Sequence, residues 1–164
     1  MLTKEQILRW LDVNVETGII IWKDHWRRSD VIGREAGSFC HGYRRIKLDG
    51  VEIFVHHIIW FIAKGEWPEV PYEIDHRDLN RQNNAISNLR LGSSSQNKAN
   101  KPSNNSWGLK GIAYDPRYKN PWIAKIQING VSKNLGSYPT PEEAHTVWYE
   151  AACDAFGEEF VRVA

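Results

Sequence analysis

The sequence predicts an α+β protein made of two small domains in succession. Two dipeptides typical of tight turns, Asp49-Gly50 and Asn129-Gly130, each separate runs rich in apolar β-formers, which indicates antiparallel hairpins. A segment with helical spacing of apolar residues follows each hairpin. Residues 100–106, with the sequence NKPSNNS, contain a proline and three asparagines but no apolar side chain, as expected of a linker. We therefore assign residues 1–99 and 107–164 to two domains joined by this linker.

In the first domain, residue spacing predicts three helices and several β segments. Thr3 and Gln6 have the spacing of a capping box at the start of the first helix, and Gly65 follows the second helix. Serines 93–95 can cap a third helix that runs through Asn97. In chain order, the predicted elements are a helix at 3–11, a strand at 18–23, a hairpin at 43–55, a helix at 57–64, hairpin arms at 72–76 and 89–91, and a helix through 96–99.

In the second domain, the pattern predicts a three-stranded antiparallel sheet packed on one helix. Thr140 is the expected N-cap of the helix and Pro141 its first residue. A two-residue turn at Asn129-Gly130 fixes the register of the last two strands. The predicted strands are 111–114, 122–128 and 131–138, with the pairs Ile128–Val131, Gln127–Ser132, Ile126–Lys133, Lys125–Asn134 and Ala124–Leu135. Alternation then leaves a polar and basic open face, formed by Lys125, Gln127, Ser132 and Asn134.

Charge is distributed unevenly along the chain, although the net charge is only +1. Residues 101–138 hold six Lys or Arg against Asp115 alone, whereas six acids oppose Arg162 from Pro139 onward. The basic segment suits a nucleic-acid partner, although charged residues also simply cover solvated faces.

Apolar runs and cysteine spacing exclude several classes of protein. The longest apolar run, residues 55–63, is too short to span a bilayer, and the N-terminus lacks a signal pattern, so we expect a cytoplasmic protein without a membrane partner. Cys40 and Cys153 form no Cys-x-x-Cys pair, which argues against structural zinc and against a disulfide framework. Any catalytic metal must therefore be held by oxygen or imidazole.

Residues 75–97 contain the side chains that phosphodiester hydrolysis requires. The reaction needs a base that deprotonates water and a cation that binds the phosphate and the departing oxygen. His76 suits the first task because the pKa of histidine is ordinarily about 6.5, and Asp75 and Asn97 offer oxygen ligands for a hard cation. Asn88 can hold the intervening loop by hydrogen bonds to its backbone. An Asp-His dipeptide alone is usually structural, and Asn-rich segments are usually loops. The hypothesis of a hydrolytic site therefore rests on the combination of these residues and their spacing.

Segments of the first domain resemble the HNH endonucleases of phage and intron homing type, over about residues 42–100. They are VHHIIW at 55–60, IDH at 74–76, NNAISNLR at 83–90 and S-x-x-N at 94–97. The resemblance implies a ββα-metal fold with His76 as general base, Asn88 as the middle Asn of the motif, and Asp75 and Asn97 as ligands of a divalent metal. We expect Mg²⁺, with Mn²⁺ as the alternative. His56 matches an upstream histidine of the family that could approach the scissile phosphate, and a hydrogen-bonded core histidine is the other interpretation.

The second domain resembles the DNA-binding domain of plant APETALA and ethylene-response-factor proteins, over about residues 107–160. The matching segments are GLKGIAYD at 108–115, WIAKIQI at 122–128, LGSY at 135–138 and TPEEAHTVWYEAA at 140–152. The resemblance implies a sheet that lies in the DNA major groove. Ala113, Asp115 and Asn134 depart from the Arg or aromatic residues of that family, so base preference should differ. The DNA contacts that we expect come from Lys110, Arg117, Lys119, Lys125, Gln127, Ser132, Lys133 and Asn134.

Together these features predict a metal-dependent endonuclease that cuts double-stranded DNA at a recognised site and is encoded by a phage or another mobile element. In this hypothesis the first domain cuts, the second chooses the site, and no obligatory protein partner is evident. Two alternatives stay open. One is a non-catalytic DNA-binding regulator that keeps the HNH scaffold, and the other is an RNA-directed enzyme or binding protein.

Overall fold

The chain divides into two compact units, Met1–Leu91 and Gly92–Ala164, each with its own hydrophobic core. The structure is a computed structural model and describes residues 2–25 and 27–162. No helix in these two ranges is long and apolar enough to cross a membrane. Cys40 and Cys153 are both free thiols.

The first unit begins with a capped helix that leads directly into a hairpin. Helix α1 spans Lys4–Trp10, and Thr3 and Gln6 exchange both hydrogen bonds of the predicted capping box, at 2.8 and 3.3 Å. The helix ends one residue earlier than predicted because Leu11 is extended and starts strand β1, Leu11–Asn14. The sequence did not predict this strand. It pairs antiparallel with β2, Ile19–Trp22, which lies inside the predicted strand at 18–23.

A three-stranded antiparallel sheet follows, in the order β3, β4, β5. Its strands are Ser38–Cys40, Tyr43–Leu48 and Val51–Phe54. The predicted turn at Asp49-Gly50 is confirmed, with φ values of 48° and 83° and Leu48 paired to Val51. Strand β3 was not predicted. It joins β4 through a second two-residue turn, His41-Gly42, with φ values of 51° and 83°.

Helix α2, Val55–Lys64, supplies the central part of the first core. It begins two residues before the predicted start and ends, as predicted, at Gly65, which adopts a left-handed conformation with φ 83°. Burial of its apolar side chains away from water is the main stabilising contribution to this unit. The largest fully buried side chains of the core are Ile7, Leu11, Ile20, Ile46, Val55, Ile58 and Ile59.

The predicted second hairpin is present as a two-stranded sheet. Strand β6 spans Glu73–His76 and strand β7 spans Leu89–Gly92, each within one residue of its predicted arm. A 3₁₀ turn at Ile86–Asn88 precedes β7. The long connection is closed at its base by a hydrogen bond from Arg77 N to the carbonyl of Asn88, at 2.9 Å.

The second unit has a three-stranded antiparallel sheet, in the order β10, β9, β8, packed on a long helix. Four predicted cross-strand pairs are confirmed, from Ile128–Val131 to Lys125–Asn134. The predicted pair Ala124–Leu135 is wrong, because a β-bulge between Asn134 and Gly136 inserts one residue, so that Gly136 faces Ala124. The elements are β8 Ile112–Tyr114, β9 Trp122–Ile128, β10 Val131–Tyr138 and α4 Pro141–Phe156.

Helix α3, Ser94–Asn100, belongs by its contacts to the second unit. Ser93 and Gln96 form a complete capping box at its start, and Ala99 is buried in the same cluster as Trp148 and Phe160. The division between the compact units therefore lies before α3, whereas the proposed linker is 100–106. The functional assignment of residues 92–99 to the first domain stays a prediction.

Candidate functional site

His76 is the last residue of β6 and is almost completely buried, with 4% of its surface exposed. Its Nε2 atom lies 3.1 Å from Oδ1 of Asn84. Asn84 Nδ2 donates to the carbonyl of Gln82 at 3.3 Å, which is consistent with an amide oxygen that faces the imidazole. The backbone of Asn84 lies against Gly18, where a β-carbon would overlap it. The turn between β1 and β2 therefore fixes the position of the His76 partner.

Aromatic rings surround His76. The ring centres of His56 and Tyr43 lie 5.2 and 6.0 Å from that of His76, and His56 stacks on Phe54 at 5.4 Å. Burial, followed by the charges of His57 and His76, lowers the pKa of His56 to about 2. His56 is therefore neutral at working pH and supplies no positive charge to a phosphate, which favours the interpretation as a core histidine.

Asn88 ties the loop between β6 and β7 together, the contact that its position suggested. Its Nδ2 donates to Oδ1 of Asp78 at 2.9 Å and to the carbonyl of Asn83 at 2.8 Å, and its Oδ1 accepts from the Asp78 N–H at 3.1 Å. Asn83 Nδ2 donates to Oδ2 of Asp78 at 2.8 Å. Although burial acts to raise the pKa of Asp78, these bonds from Asn83 and Asn88 and that from the Asn80 N–H lower it overall. A charged Asp78 is thus the centre of the loop.

Asp75 forms a buried ion pair with Arg90 of the neighbouring strand. Arg90 Nη2 lies 2.9 Å from Asp75 Oδ2, and the two side chains are 5% and 14% exposed. Sequence reasoning did not assign roles to Arg90, Asp78 or Asn84. The signal for Arg90 was a charged residue between Leu89 and Leu91 in a short apolar strand, since such a residue needs a buried partner.

Asn97 lies in α3 of the second unit. Its Nδ2 donates to the carbonyl of Gly92 at 3.5 Å, and its Oδ1 occupies the space that a β-carbon on Gly92 would need. Within residues 2–25 and 27–162, no three His, Cys, Asp or Glu side chains cluster as metal ligands. The predicted ligands are instead a carboxylate and an amide, an oxygen set that suits a hard cation such as Mg²⁺.

The open face of the β8–β10 sheet contains four of the expected DNA-contacting residues. Lys125 faces Asn134 and Gln127 faces Ser132 across the two strands, and all four are exposed. Lys133, opposite Ile126, is exposed on the other side of the strand. Lys119 is exposed in the loop before β9, as is Arg117, which pairs with Asp115 at 2.6 Å.

Lys110 departs from this pattern. Its side chain is buried, its ammonium donates to the carbonyl of Ala99, and its Nζ lies 5.7 Å from the centre of the Trp148 ring. Burial, with a smaller contribution from the charge of Arg162, lowers its pKa to about 8. The phosphate contact expected of Lys110 is therefore not supported, because its charged group bonds inside the second unit.

Comparison with known proteins identifies a family match within the chain. The sequence model of the family described as HNH endonuclease matches residues 54–99. This range includes α2 and the strands that carry Asp75, His76 and Arg90.

Two viral proteins are similar to the chain. An uncharacterised HNH endonuclease, L560 of Acanthamoeba polyphaga mimivirus, is 35% identical over 106 residues, which is 63% of this chain and 54% of that protein. Protein 3.8 of Escherichia phage T7 is 34% identical over 84 residues, which is 50% of this chain and 68% of the phage protein. The chain thus spans about half the length of the mimivirus relative and two thirds of the phage relative. It belongs to the HNH endonuclease family. No solved structure matches it.

Proposed function

We propose that this protein is a metal-dependent DNA endonuclease of the homing type, which hydrolyses a phosphodiester bond at a recognised site in double-stranded DNA. His76 is the general base, and Asp75 and Asn97 are the residues that hold a divalent metal. The observation that carries the proposal is the 3.1 Å contact between His76 Nε2 and Asn84 Oδ1. This contact supports a ring that donates through Nε2 and accepts a proton at Nδ1.

An amide oxygen only accepts hydrogen bonds, so His76 donates through Nε2 and its lone pair is on Nδ1. Nδ1 takes the proton of the attacking water, and the bond from Nε2 to Asn84 persists when the ring becomes positively charged. Tyr43 and His56 restrict rotation of the ring because both rings pack against it. In this way Asn84 acts on catalysis through the orientation and tautomer of His76.

Asn88 and Asp78 have a positioning role. Their hydrogen bonds link both ends of the loop that follows His76, and the charge of Asp78 strengthens them. Neither residue needs to contact substrate for this role.

Asp75 and Asn97 offer the oxygen atoms that Mg²⁺ prefers, with Mn²⁺ as the alternative metal. When bound, the metal supplies positive charge that stabilises the phosphate and the departing 3′ oxygen. Arg90 holds Asp75 in one orientation through the buried ion pair.

The second unit would recognise DNA through its open sheet face, in keeping with its resemblance to the ethylene-response-factor domain. Lys125, Lys119 and Arg117 are suited to phosphate contacts, and Gln127 and Asn134 to base edges. We further propose that the protein acts in the cytoplasm of a bacterial host and is encoded by a phage or another mobile element. Its similarity to a protein of Escherichia phage T7 supports the phage origin.

The direct test is cleavage of phage and plasmid DNA with Mg²⁺ or Mn²⁺, with both strands labelled. His76→Ala should abolish cutting and retain DNA binding, whereas His25→Ala, at a half-buried histidine outside the candidate site, should cut normally. DNA binding without cutting under all metals would support the regulator instead. Faster cleavage of matched RNA than of duplex DNA would contradict the choice of substrate.

A further inference from the structure

Arg81, in the loop between β6 and β7, lies on the ring of Tyr43 at the start of β4. Its Cζ atom is 4.7 Å from the ring centre, and its Nη1 donates to the carbonyl of His41 at 2.9 Å. Its Cδ atom lies 3.4 Å from where a β-carbon on Gly42 would be. The ring contact and the hydrogen bond hold an exposed guanidinium in one orientation.

Arg81 differs from the arginines nearby in the pairing of its positive charge. Arg44, Arg45 and Arg90 each pair with a carboxylate, at 3.0, 2.7 and 2.9 Å. Within residues 2–25 and 27–162, Arg81 forms no such ion pair. A guanidinium has five N–H donors, and the described contacts of Arg81 use one of them. Arg81 therefore presents a positive charge and several donors to solvent.

Arg81 also lies next to the proposed general base. The same Tyr43 ring that supports Arg81 contacts the ring of His76, with 6.0 Å between ring centres. A DNA strand whose scissile phosphate reaches His76 would therefore lie close to this guanidinium. Planar guanidinium groups bind phosphate oxygens with two donors, and a stacked one loses little freedom when it does so.

We propose that Arg81 binds a DNA backbone phosphate adjacent to the scissile one, with Tyr43 as the positioning residue that holds its guanidinium. This inference rests on the proposed function and assigns the path of the DNA strand across the first unit, along the His41-Gly42 turn.

The test measures binding of a random-sequence DNA duplex to the full chain in EDTA, so that no cleavage occurs, at several salt concentrations. Each phosphate contact contributes about 0.9 to the slope of log affinity against log salt. Arg81→Gln should reduce the magnitude of the slope by about 0.9, and Arg81→Lys, which keeps the charge, should retain it. Arg28→Gln is the matched control, because Arg28 is exposed and already paired with Asp30 at 2.8 Å.

Tyr43 variants test the positioning role. Tyr43→Phe keeps the ring and should retain the wild-type slope, whereas Tyr43→Leu should approach the slope of Arg81→Gln. These variants also decide the question if Arg81→Gln fails to fold. A wild-type slope in both Arg81→Gln and Tyr43→Leu, or no duplex binding by the wild-type chain at low salt, would overturn the inference. Binding is measured without cleavage, so a chain that binds through Arg81 but never cuts would contradict only the proposed activity.

Discussion

Arg90 donates from both Nε and Nη2 to one oxygen of Asp75, Oδ2, at 3.1 and 2.9 Å. This ion pair links β6 to β7, and Asp75 directly precedes His76 in the chain. Both side chains are largely buried, and each charge compensates the other.

Removal of Arg90 should therefore destabilise the first unit more than removal of an exposed charge. Arg90→Gln leaves a buried carboxylate without its cation, which costs about 3 kcal/mol in systems of this kind. Urea denaturation measures the free energy of unfolding, with Arg45→Gln, from an exposed ion pair, as the control at below about 1 kcal/mol. The double variant Arg90→Gln with Asp75→Asn should recover part of the loss. Equal stabilities for Arg90→Gln and the wild type would contradict this role.

Asp78 should make the stability of the first unit sensitive to acid. Hydrogen bonds lower its pKa in the folded state, so the stability that they provide is present above the ordinary pKa and is lost as pH falls through the folded pKa. In Asp78→Asn, the decrease in unfolding free energy between neutral pH and pH 3 should be smaller than in the wild type. Glu66→Gln, at an exposed position, is the control. Identical acid profiles for the wild type and Asp78→Asn would contradict the prediction.

Asn88→Ala removes three hydrogen bonds from the same loop. Buried polar groups left without partners cost about 1–3 kcal/mol, so the variant should unfold at lower urea concentration. If Asn88 acts only by positioning, cleavage should fall mainly in kcat, while the affinity for DNA changes little. Asn104→Ala, in the polar segment after α3, is the control. A loss of DNA affinity without a loss of kcat would indicate substrate contact instead.

The parts of the fold that the sequence predicted depend on interactions between residues close in the chain. The Asp49-Gly50 turn and the Thr3–Gln6 capping box each form within four residues, and both are present. The Asn129-Gly130 turn fixed four strand pairs, but it could not predict the bulge after Asn134, where the side chain of Asn134 accepts from Gly136 N at 2.9 Å. That hydrogen bond forms only where the strand departs from regular pairing, so regular pairing of the strands does not predict it.

The parts that the sequence did not predict depend on contacts between distant residues. Arg81 reaches the carbonyl of His41, 40 positions earlier, and Lys110 bonds to Ala99 across a turn of the chain. The DNA contact expected of Lys110 came from the family resemblance, and an exposed charge cannot be told from a buried one in a sequence. The identities of the candidate site residues followed from the motif, whereas their partners Arg90, Asn84 and Asp78 are brought to them only by the fold.

Gly111 should tolerate no side chain, because a β-carbon there would overlap the indole ring of Trp148. Its φ of 69° adds backbone strain for any other residue. Gly130 is a matched control, since its φ is 83° and nothing lies within 4 Å of its β-carbon position. Thermal unfolding should show a larger loss for Gly111→Ala than for Gly130→Ala, by about 1–3 kcal/mol for overpacking. Equal losses would mean that backbone strain alone sets the cost.

Lys110 should stabilise the second unit increasingly as the solution becomes alkaline. Its pKa is about 8 in the folded chain against 10.5 ordinarily, so between these pH values the unfolded chain binds more protons and the unfolding free energy rises with pH. Lys110→Met should lack this rise, which urea denaturation across that range would measure. The same variant should keep the wild-type salt dependence of DNA binding, whereas Lys125→Met, on the open sheet face, should lower the slope by about 0.9. A reduced slope of log affinity against log salt for Lys110→Met would instead indicate that Lys110 contacts DNA.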